Sequence, residues 1–392
     1  MDLRFSDEDE AFRAEARGWL TEQLDGNFAK VKGRGGPGDE HALFDERLEW
    51  EQHLGRSGWN CVGWPKEHGG RGLSLHQQVI WFEEYARAGG PGRLGHIGEG
   101  LTGPTVMAFG DARQQERFLP PIVAGTELWA QGYSEPNAGS DLANVSTRAE
   151  PDGDDWRITG QKVWTSLAHW SDWVFVLART DREVQPKHRG ITCFLMPLRE
   201  EGVEIRPIRQ VTGTSEFNEV FFDNALAKGE HVVGGVNNGW KVAMGTLAFE
   251  RGASTLGQQM AFRTELDELI AVAKRTGRIG DPIIRQRLAA AHSGLEIMRW
   301  NTLRVLSVDS VTPPPAAMIT KLYWASWHRD LGELAMDILG PEALLGEQVP
   351  GYELTALQRL FLFTRSDTIY AGSNQIQRNI IGERALGLPK EP

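Results

Sequence analysis

Hydrophobic and polar positions fall into three regimes along this chain. Over residues 5–25, Phe5, Phe12, Ala16, Trp19 and Leu20 recur at helical spacing, which predicts an amphipathic helix. Ser6 or Asp7 can cap its start. Helical patterns resume over 41–57, 74–87 and 104–124, and Pro104 suits a first helical turn. Between them, "KGRGGPGDE" (32–40) and "CVGWPKEHGGRG" (61–72) carry the Gly and Pro punctuation of surface loops. Near residue 126 the texture changes. "LWAQGYS", "WRITGQKVW", "WVFVLART", "ITCFLMPL", "VEIRPIR" and "EVFFDN" are short β-rich runs separated by turn signals, a spacing that suggests a small β-barrel or sandwich. "NNGWKVAMG" (237–245) then opens a long helical pattern, read as one helix over 238–275 with Asn237 or Asn238 as cap. Helices fill the remainder, interrupted at 277–282, 313–315 and 340–351.

The order predicts an α+β multidomain chain: an N-terminal α-helical domain over 1–125, a middle β domain over 126–236 and a C-terminal helical bundle over 237–392. A length of 392 residues is enough for two or three such cores. A net charge of −11 argues against a nucleic-acid footprint, which needs clustered Lys and Arg. No apolar run approaches the ~18 residues a membrane span requires. The acidic start "MDLRFSDEDEAF" has no apolar signal core, so a cytoplasmic location is expected. Cys61 and Cys193 stand alone, without ligand spacing, and no metal is expected. Gly98-x-Gly100-x-x-Gly103 matches a dinucleotide fingerprint in letters, but a glycine-rich loop precedes it where a strand is needed. No G-x-S-x-G elbow or H-E-x-x-H helix is present.

"YSEPNAGSDLANV" (133–145) leaves a strand for a loop of small polar residues, whose backbone N–H groups can come close to a ligand. "GQKVWTS" (160–166) follows; Trp164 could lie on a flat ring and Ser166 could reach its polar edge. Each segment read alone is equally a turn or a strand with a core Trp. Taken together, and with "KRTGR" (274–278), "RQRLA" (285–289) and "YAGSNQIQRNIIGERALGLP" (370–389), they closely resemble the acyl-CoA dehydrogenases, over nearly the whole chain.

That resemblance implies the acyl-CoA dehydrogenase fold, with a middle β-barrel and a C-terminal four-helix bundle, FAD at a subunit interface, and a homotetramer built as a dimer of dimers. Tyr133, Ser134, Gly139, Ser140, Trp164 and Ser166 would line the isoalloxazine side. Arg275 and Gln286 would reach the diphosphate and adenosine end from a neighbouring subunit, and Gly372, Ser373 and Gln375 would approach the flavin at a helix start. A guanidinium suits pyrophosphate oxygens. The implied activity is α,β-dehydrogenation of an acyl-CoA, with electrons passed to an electron-transfer flavoprotein. Two departures stand out. Asp337 and Pro341 occupy positions where the family often has Gln and Gly, and "TGTSEF" (212–217) lacks a common Arg.

A third departure concerns the catalytic base. Most of the family has glutamate after the Tyr of the last motif; here it is Ala371. Ala243, Thr246, Glu250, Ala253 and Gly257 share one helical face that is small except for one carboxylate. By residues alone this is a tight helix seam, a Glu250–Arg251 surface pair, or a base with room for a ligand. The resemblance favours the last: isovaleryl-CoA and long-chain acyl-CoA dehydrogenases lack the C-terminal glutamate and carry the base on this helix before an Arg, as in "FERG". Ser140, Arg251 and Ala371 would then meet the substrate, expected to be branched, cyclic or steroid-derived. A flavin oxidase or monooxygenase on the same fold, and a non-catalytic subunit of a mixed tetramer, remain the alternatives.

Overall fold

The computed structural model describes residues 5–249, 254–306, 315–345 and 353–390. In chain order its helices are α1 (Asp7–Asp25), α2 (Phe44–Arg56), α3 (Leu75–Arg87), α4 (Gly103–Phe109), α5 (Ala112–Ala124), α6 (Gly239–Phe249), α7 (Ser254–Arg275), α8 (Pro282–Leu306), α9 (Thr320–Leu339), α10 (Ala356–Asp367) and α11 (Asn374–Ile380). Its strands, between α5 and α6, are β1 (Trp129–Gly132), β2 (Arg148–Asp152), β3 (Asp155–Ser166), β4 (Trp173–Arg179), β5 (Ile191–Pro197), β6 (Val203–Pro207), β7 (Phe217–Ala227) and β8 (Val232–Val233). The helix–sheet–helix order is the expected one. The chain divides into two compact units: Met1–Gly33 with Ser74–Gly90 and Ala253–Pro392, and Arg34–Leu73 with Pro91–Gly252.

The first unit is helical. Ser6 caps α1, Ser74 caps α3 and Thr355 caps α10, each in a reciprocal box with the residue at the third helical position. Phe262, Leu266 and Leu269 of α7, Leu288 and Leu295 of α8, Trp324, Leu331 and Leu334 of α9, and Leu357 and Leu360 of α10 meet in one core. The four helices meet because each carries an apolar stripe that must be buried. Glu84 of α3, almost fully buried, pairs with Arg13 and Arg17 of α1 and with Arg87.

The second unit is a sheet with helices on one face. Its hydrogen-bonded order is β6-β7-β3-β2-β4-β5-β8, with β1 parallel to β4. Alternation along β4 splits its side chains between two cores. Phe175 and Leu177 pack with Phe118, Leu119 and Ile122 of α5 and with Val242 and Ala243 of α6. Val174, Val176 and Ala178 pack with Ile158 of β3 and Val220 and Phe222 of β7. The sheet therefore curls over its second face, helped by register breaks in the β3–β7 ladder between Ile158 and Gly160 and between Lys162 and Thr165.

Local expectations change for the 104–124 helix, for β2 and β8, and for the Asn238 cap. The helix expected over 104–124 is two helices: Asp111 starts α5 afresh by accepting from the Gln114 N–H. The strands β2 and β8 were not legible, because β2 reads "RAEPD" and is exposed over its last three residues. The helix expected over 238–275 is seen as α6 and α7, and residues 250–253 lie outside the described residues. Asn238, offered as its cap, directly precedes α6, but its side-chain amide donates back to the Gly234 carbonyl at 2.8 Å.

Candidate functional site

Within the sheet unit, the loop after β1 and the end of β3 are stitched together by a buried ion pair. Lys162 Nζ, fully buried, lies 2.8 Å from Glu135 Oε1 and 3.2 Å from the Tyr133 carbonyl. Glu135 also accepts from the Thr147 N–H at 2.9 Å, the Ser146 N–H at 2.6 Å and the Ser146 hydroxyl at 2.7 Å. Burial works against the Glu135 charge, but Lys162 and these donors outweigh it and hold the carboxyl at about 2. For Lys162 burial is the larger effect and Glu135 only partly offsets it, leaving the ammonium at about 8. Both therefore carry charge at neutral pH. The pair fixes both ends of the 133–147 loop, and the Val163 N–H donates to the Ser134 carbonyl at 2.9 Å.

This brings Tyr133, Ser134, Trp164 and Ser166 onto neighbouring segments. Tyr133 is buried edge-on against Phe175, with ring centroids 5.4 Å apart. Trp164 sits at the β-bulge with φ +60°, a left-handed conformation that is costly for a bulky residue. Its ring is braced by the edge of Phe217, yet 57% of the residue is exposed. A strained backbone holding a large apolar ring in the open is a cost that a flat aromatic ligand would offset. Gly139 and Ser140 are exposed at the loop tip, and a Cβ at Gly139 would meet nothing within 4 Å. Glu135 and Lys162, which hold this arrangement, were not singled out from sequence; the Glu and Lys inside the two quoted motifs were the available signal.

The remaining expected residues lie in the helical unit. Arg275 is exposed at the C-terminal end of α7, and Gln286 is exposed near the start of α8. Gly277, at φ +74°, turns the chain between these helices. Ala371 (φ +51°) and Gly372 (φ +83°) form two successive left-handed residues. Ser373 caps α11 by accepting from the Ile376 N–H at 3.3 Å, and Gln377 Nε2 donates to the Ala371 carbonyl at 3.2 Å. Gln375 is exposed on the first turn of α11.

Each departure noted in the sequence has a structural counterpart. Asp337 pairs with Arg287 of α8, and its carbonyl accepts from Arg278 at 3.0 Å. In "TGTSEF", burial and the facing Glu40 carboxyl push Glu216 up to about 8. Thr214 and Ser215 share with Glu40, His41 and His169 a cavity of about 220 Å³. Glu250 and Arg251 lie outside the described residues. The described part of their proposed face is packed rather than open: Ala243 is fully buried, and Thr246 Oγ1 lies 2.8 Å from Thr105 Oγ1 of α4. The letters of Gly98-x-Gly100-x-x-Gly103 belong to a helical turn leading into α4, where a Cβ on Gly103 would collide with Trp64 at 2.1 Å. Gly98 and Gly103 serve close packing, while a Cβ on Gly100 would meet nothing within 4 Å. Among the described residues no helix is long and apolar enough to cross a membrane, and no cluster of three or more His, Cys, Asp or Glu could hold a metal ion.

Comparison with known proteins agrees with this architecture. Family models described as acyl-CoA dehydrogenase N-terminal, middle and C-terminal domains match residues 6–126, 130–225 and 237–386. The chain is 57% identical over 382 residues to the acyl-CoA dehydrogenase IpdE1 of Mycobacterium tuberculosis, covering 97% of this chain and 98% of that one. Among solved structures, it resembles one described as the Tcur3481-Tcur3483 steroid ACAD, with a TM-score of 0.86, 32% identity and full coverage of both chains. It also resembles the ChsE4-ChsE5 complex from Mycobacterium tuberculosis, with a TM-score of 0.82, 30% identity and full coverage of both.

Proposed function

From the premise that this chain belongs to the acyl-CoA dehydrogenase family, we propose that it oxidises the α,β bond of a ring-bearing, steroid-derived acyl-CoA with FAD as its cofactor. The observation that carries the cofactor reading is Trp164, an exposed ring on a strained bulge beside the Tyr133–Ser140 loop. Tyr133, Ser134, Gly139, Ser140, Trp164 and Ser166 would hold the flavin ring, and Gly372, Ser373 and Gln375 would approach it. Arg275 and Gln286 would serve the diphosphate and adenosine end, in keeping with their exposure. When bound, FAD supplies the acceptor for the substrate β-hydride.

The protein's own task is to remove the α-proton. Ala371 carries no proton acceptor, so the base must come from elsewhere, and we assign it to Glu250, which precedes Arg251 in "FERG". Backbone N–H groups near the thioester carbonyl would stabilise the enolate-like charge that develops. A methyl at residue 371 in place of a carboxyethyl side chain leaves room for bulk near the α-carbon, with Ser140 and Arg251 as further substrate contacts. The steroid class is supported by the description of a relative 32% identical over its full length. Electrons would leave to an electron-transfer flavoprotein. Because two structural relatives are described by paired chain names, we favour assembly with a second chain of this fold over a homotetramer.

The test is anaerobic bleaching of the purified yellow protein by steroid-derived, branched and straight-chain acyl-CoAs. Glu250→Gln should slow bleaching by about 10²-fold or more, the scale of a lost general base. A near-normal rate in Glu250→Gln would overturn the assignment of the base. Rapid oxygen consumption by the reduced protein would favour an oxidase instead. Expression alone and together with a second acyl-CoA dehydrogenase chain, with flavin content and native mass measured for each, decides the assembly.

A further inference from the structure

Five polar groups from three helices and one turn meet inside the helical unit. His328 of α9 is 3% exposed. Its Nε2 lies 2.8 Å from Glu265 Oε2 of α7, and its Nδ1 lies 2.7 Å from Asp367 Oδ2 at the end of α10. Asp367 is fully buried, and its second oxygen, Oδ1, accepts from the Tyr370 hydroxyl at 2.7 Å. Lys321 Nζ donates to the Asp367 backbone carbonyl and lies 5.7 Å from the centre of the Tyr370 ring. The imidazole stacks against Phe262, with ring centroids 4.1 Å apart.

Both ring nitrogens face carboxylate oxygens, and a carboxylate can only accept. A neutral imidazole has a single N–H and would leave one of these contacts without a proton; the imidazolium satisfies both. Burial works against that charge, but Glu265 and Asp367 outweigh it and lift His328 to about 9. A buried charge with two opposite partners is rigid, because moving any member strips another of its partner.

The chain leaving this cluster is the turn that the family reading places at the flavin. Tyr370 is followed directly by Ala371 and Gly372, both left-handed. On the far side the turn is tied by the Ser373 cap and by Gln377. On the near side the line His328–Asp367–Tyr370 ties it, alongside the Tyr370 N–H to the Ser366 carbonyl at 3.1 Å and the Asn374 N–H to the Thr368 carbonyl at 3.0 Å. An Ala in the left-handed region costs about 1–2 kcal/mol and persists only where its flanks hold it.

Resting on the family reading above, we propose that His328 is a positioning residue for the reaction: through Asp367 and Tyr370 it fixes the 370–373 turn, and so sets where Ala371 and Gly372 meet the flavin and the acyl chain. His328 would act on the reaction through that turn, without touching substrate or cofactor. No group within the cluster needs to change protonation during turnover. The charged groups facing the imidazole are Glu265 on α7 and Asp367 on α10, and Asp367 in turn is bonded by Lys321 of the same helix as His328 and by Tyr370 in the turn.

Three single variants in the full, flavin-loaded protein test this. Tyr370→Phe keeps the ring and removes only the hydroxyl. His328→Asn places its amide N–H near the Nδ1 position and keeps the donor toward Asp367. His328→Gln places it near Nε2 and keeps the donor toward Glu265 instead. The readouts are the visible flavin spectrum, the dissociation constant for FAD, the melting temperature, and the rate of flavin bleaching at saturating acyl-CoA. Tyr370→Phe and His328→Gln should bleach about 10- to 100-fold more slowly and shift the visible flavin band, because a misplacement of about 1 Å is worth up to that much. His328→Asn should stay within about threefold of the parent rate, since the donor toward Asp367 survives. Tyr370→Phe with an unchanged spectrum and rate would overturn the proposal, whether or not the histidine variants fold. Equal losses in His328→Asn and His328→Gln, in step with their melting temperatures, would also overturn it. Failure of the parent protein to bleach with any acyl-CoA would instead count against the reading of the reaction, and the flavin spectra of the variants would still judge the positioning role.

Discussion

Glu135 accepts hydrogen bonds from Lys162, from the Ser146 and Thr147 backbone and from the Ser146 hydroxyl, so its charge is shared among donors from two segments. Lys162 has fewer partners: Glu135 and one carbonyl. The asymmetry predicts unequal costs. Glu135→Gln leaves a buried ammonium without its counter-charge and should destabilise by about 3–5 kcal/mol, the usual cost of halving a buried pair. Lys162→Met removes the ammonium but leaves Glu135 its backbone donors, so it should cost less. Urea denaturation of the two variants gives the order, and the reverse order would refute this account of the loop. The same residues show what sequence can and cannot reveal. Trp164 stood out because a motif surrounded it, but the motif does not say that its backbone is left-handed. Lys162 and Glu135 sat inside the quoted motifs unremarked, because only folding places them in contact. For Thr246 the helical spacing grouped it with Ala243, but a face of small residues reads alike whether a ligand or a helix fills it; here α4 fills its described part.

At the level of elements, local signals were legible where a side chain acts on its own backbone. Ser6, offered from sequence as a cap, does cap α1; Ser74 and Thr355 cap α3 and α10 in the same way without having been named. Asp111 is the instructive case. Its helix was absorbed into a longer predicted one, because Gly110 and Asp111 interrupt the apolar pattern for too short a stretch. Structurally the two residues divide α4 from α5: a Cβ on Gly110 would lie 2.6 Å from the Val106 carbonyl, and Asp111 accepts from the Gln114 N–H at 2.9 Å. Gln114 then donates to the Glu230 and Val232 carbonyls at 2.8 and 2.9 Å, tying the cap to the edge of the sheet. Asp111→Ala should therefore cost about 1 kcal/mol, the worth of an N-cap. Gly110→Ala should cost more, since the collision is with backbone that cannot yield. Equilibrium unfolding of both variants measures this; a neutral Asp111→Ala would mean that the cap is dispensable. The strand β2 shows the opposite limit. Its letters are polar, and it is a strand because β3 turns back on it at Asp152–Asp155, which no pattern within five residues can encode.

For the whole molecule, two buried groups in different compact units make stability depend on pH in the same direction. In the sheet unit, Glu216 is raised to about 8 from an ordinary 4.5 by burial and by Glu40. The folded form keeps a proton there that the unfolded chain releases above about 4.5, so folding loses stability as pH rises from 4.5 toward 8. In the helical unit, His328 is raised to about 9 from an ordinary 6.5. Its contribution is complete below 6.5 and is lost as pH rises through 9. Lys162, lowered to about 8 from 10.5, acts oppositely, but only above pH 8. Glu216 and His328 therefore make the melting temperature fall from about pH 6.5 toward pH 9, whereas below 6.5 the effect of Glu216 is opposed by His53, His169 and His231, which burial holds below their ordinary 6.5. Glu216→Gln should flatten the fall between about pH 6.5 and 8 and raise the melting temperature most at pH 8. His328→Gln should flatten it between pH 6.5 and 9 while lowering stability at pH 6. The two groups belong to separate units and share no partner, so their effects should add in the double variant. Calorimetry of the parent, both single variants and the double variant across this range decides the matter. A Glu216→Gln protein that retains the parent's slope from about pH 6.5 to 8 would remove the facing carboxyls as its cause.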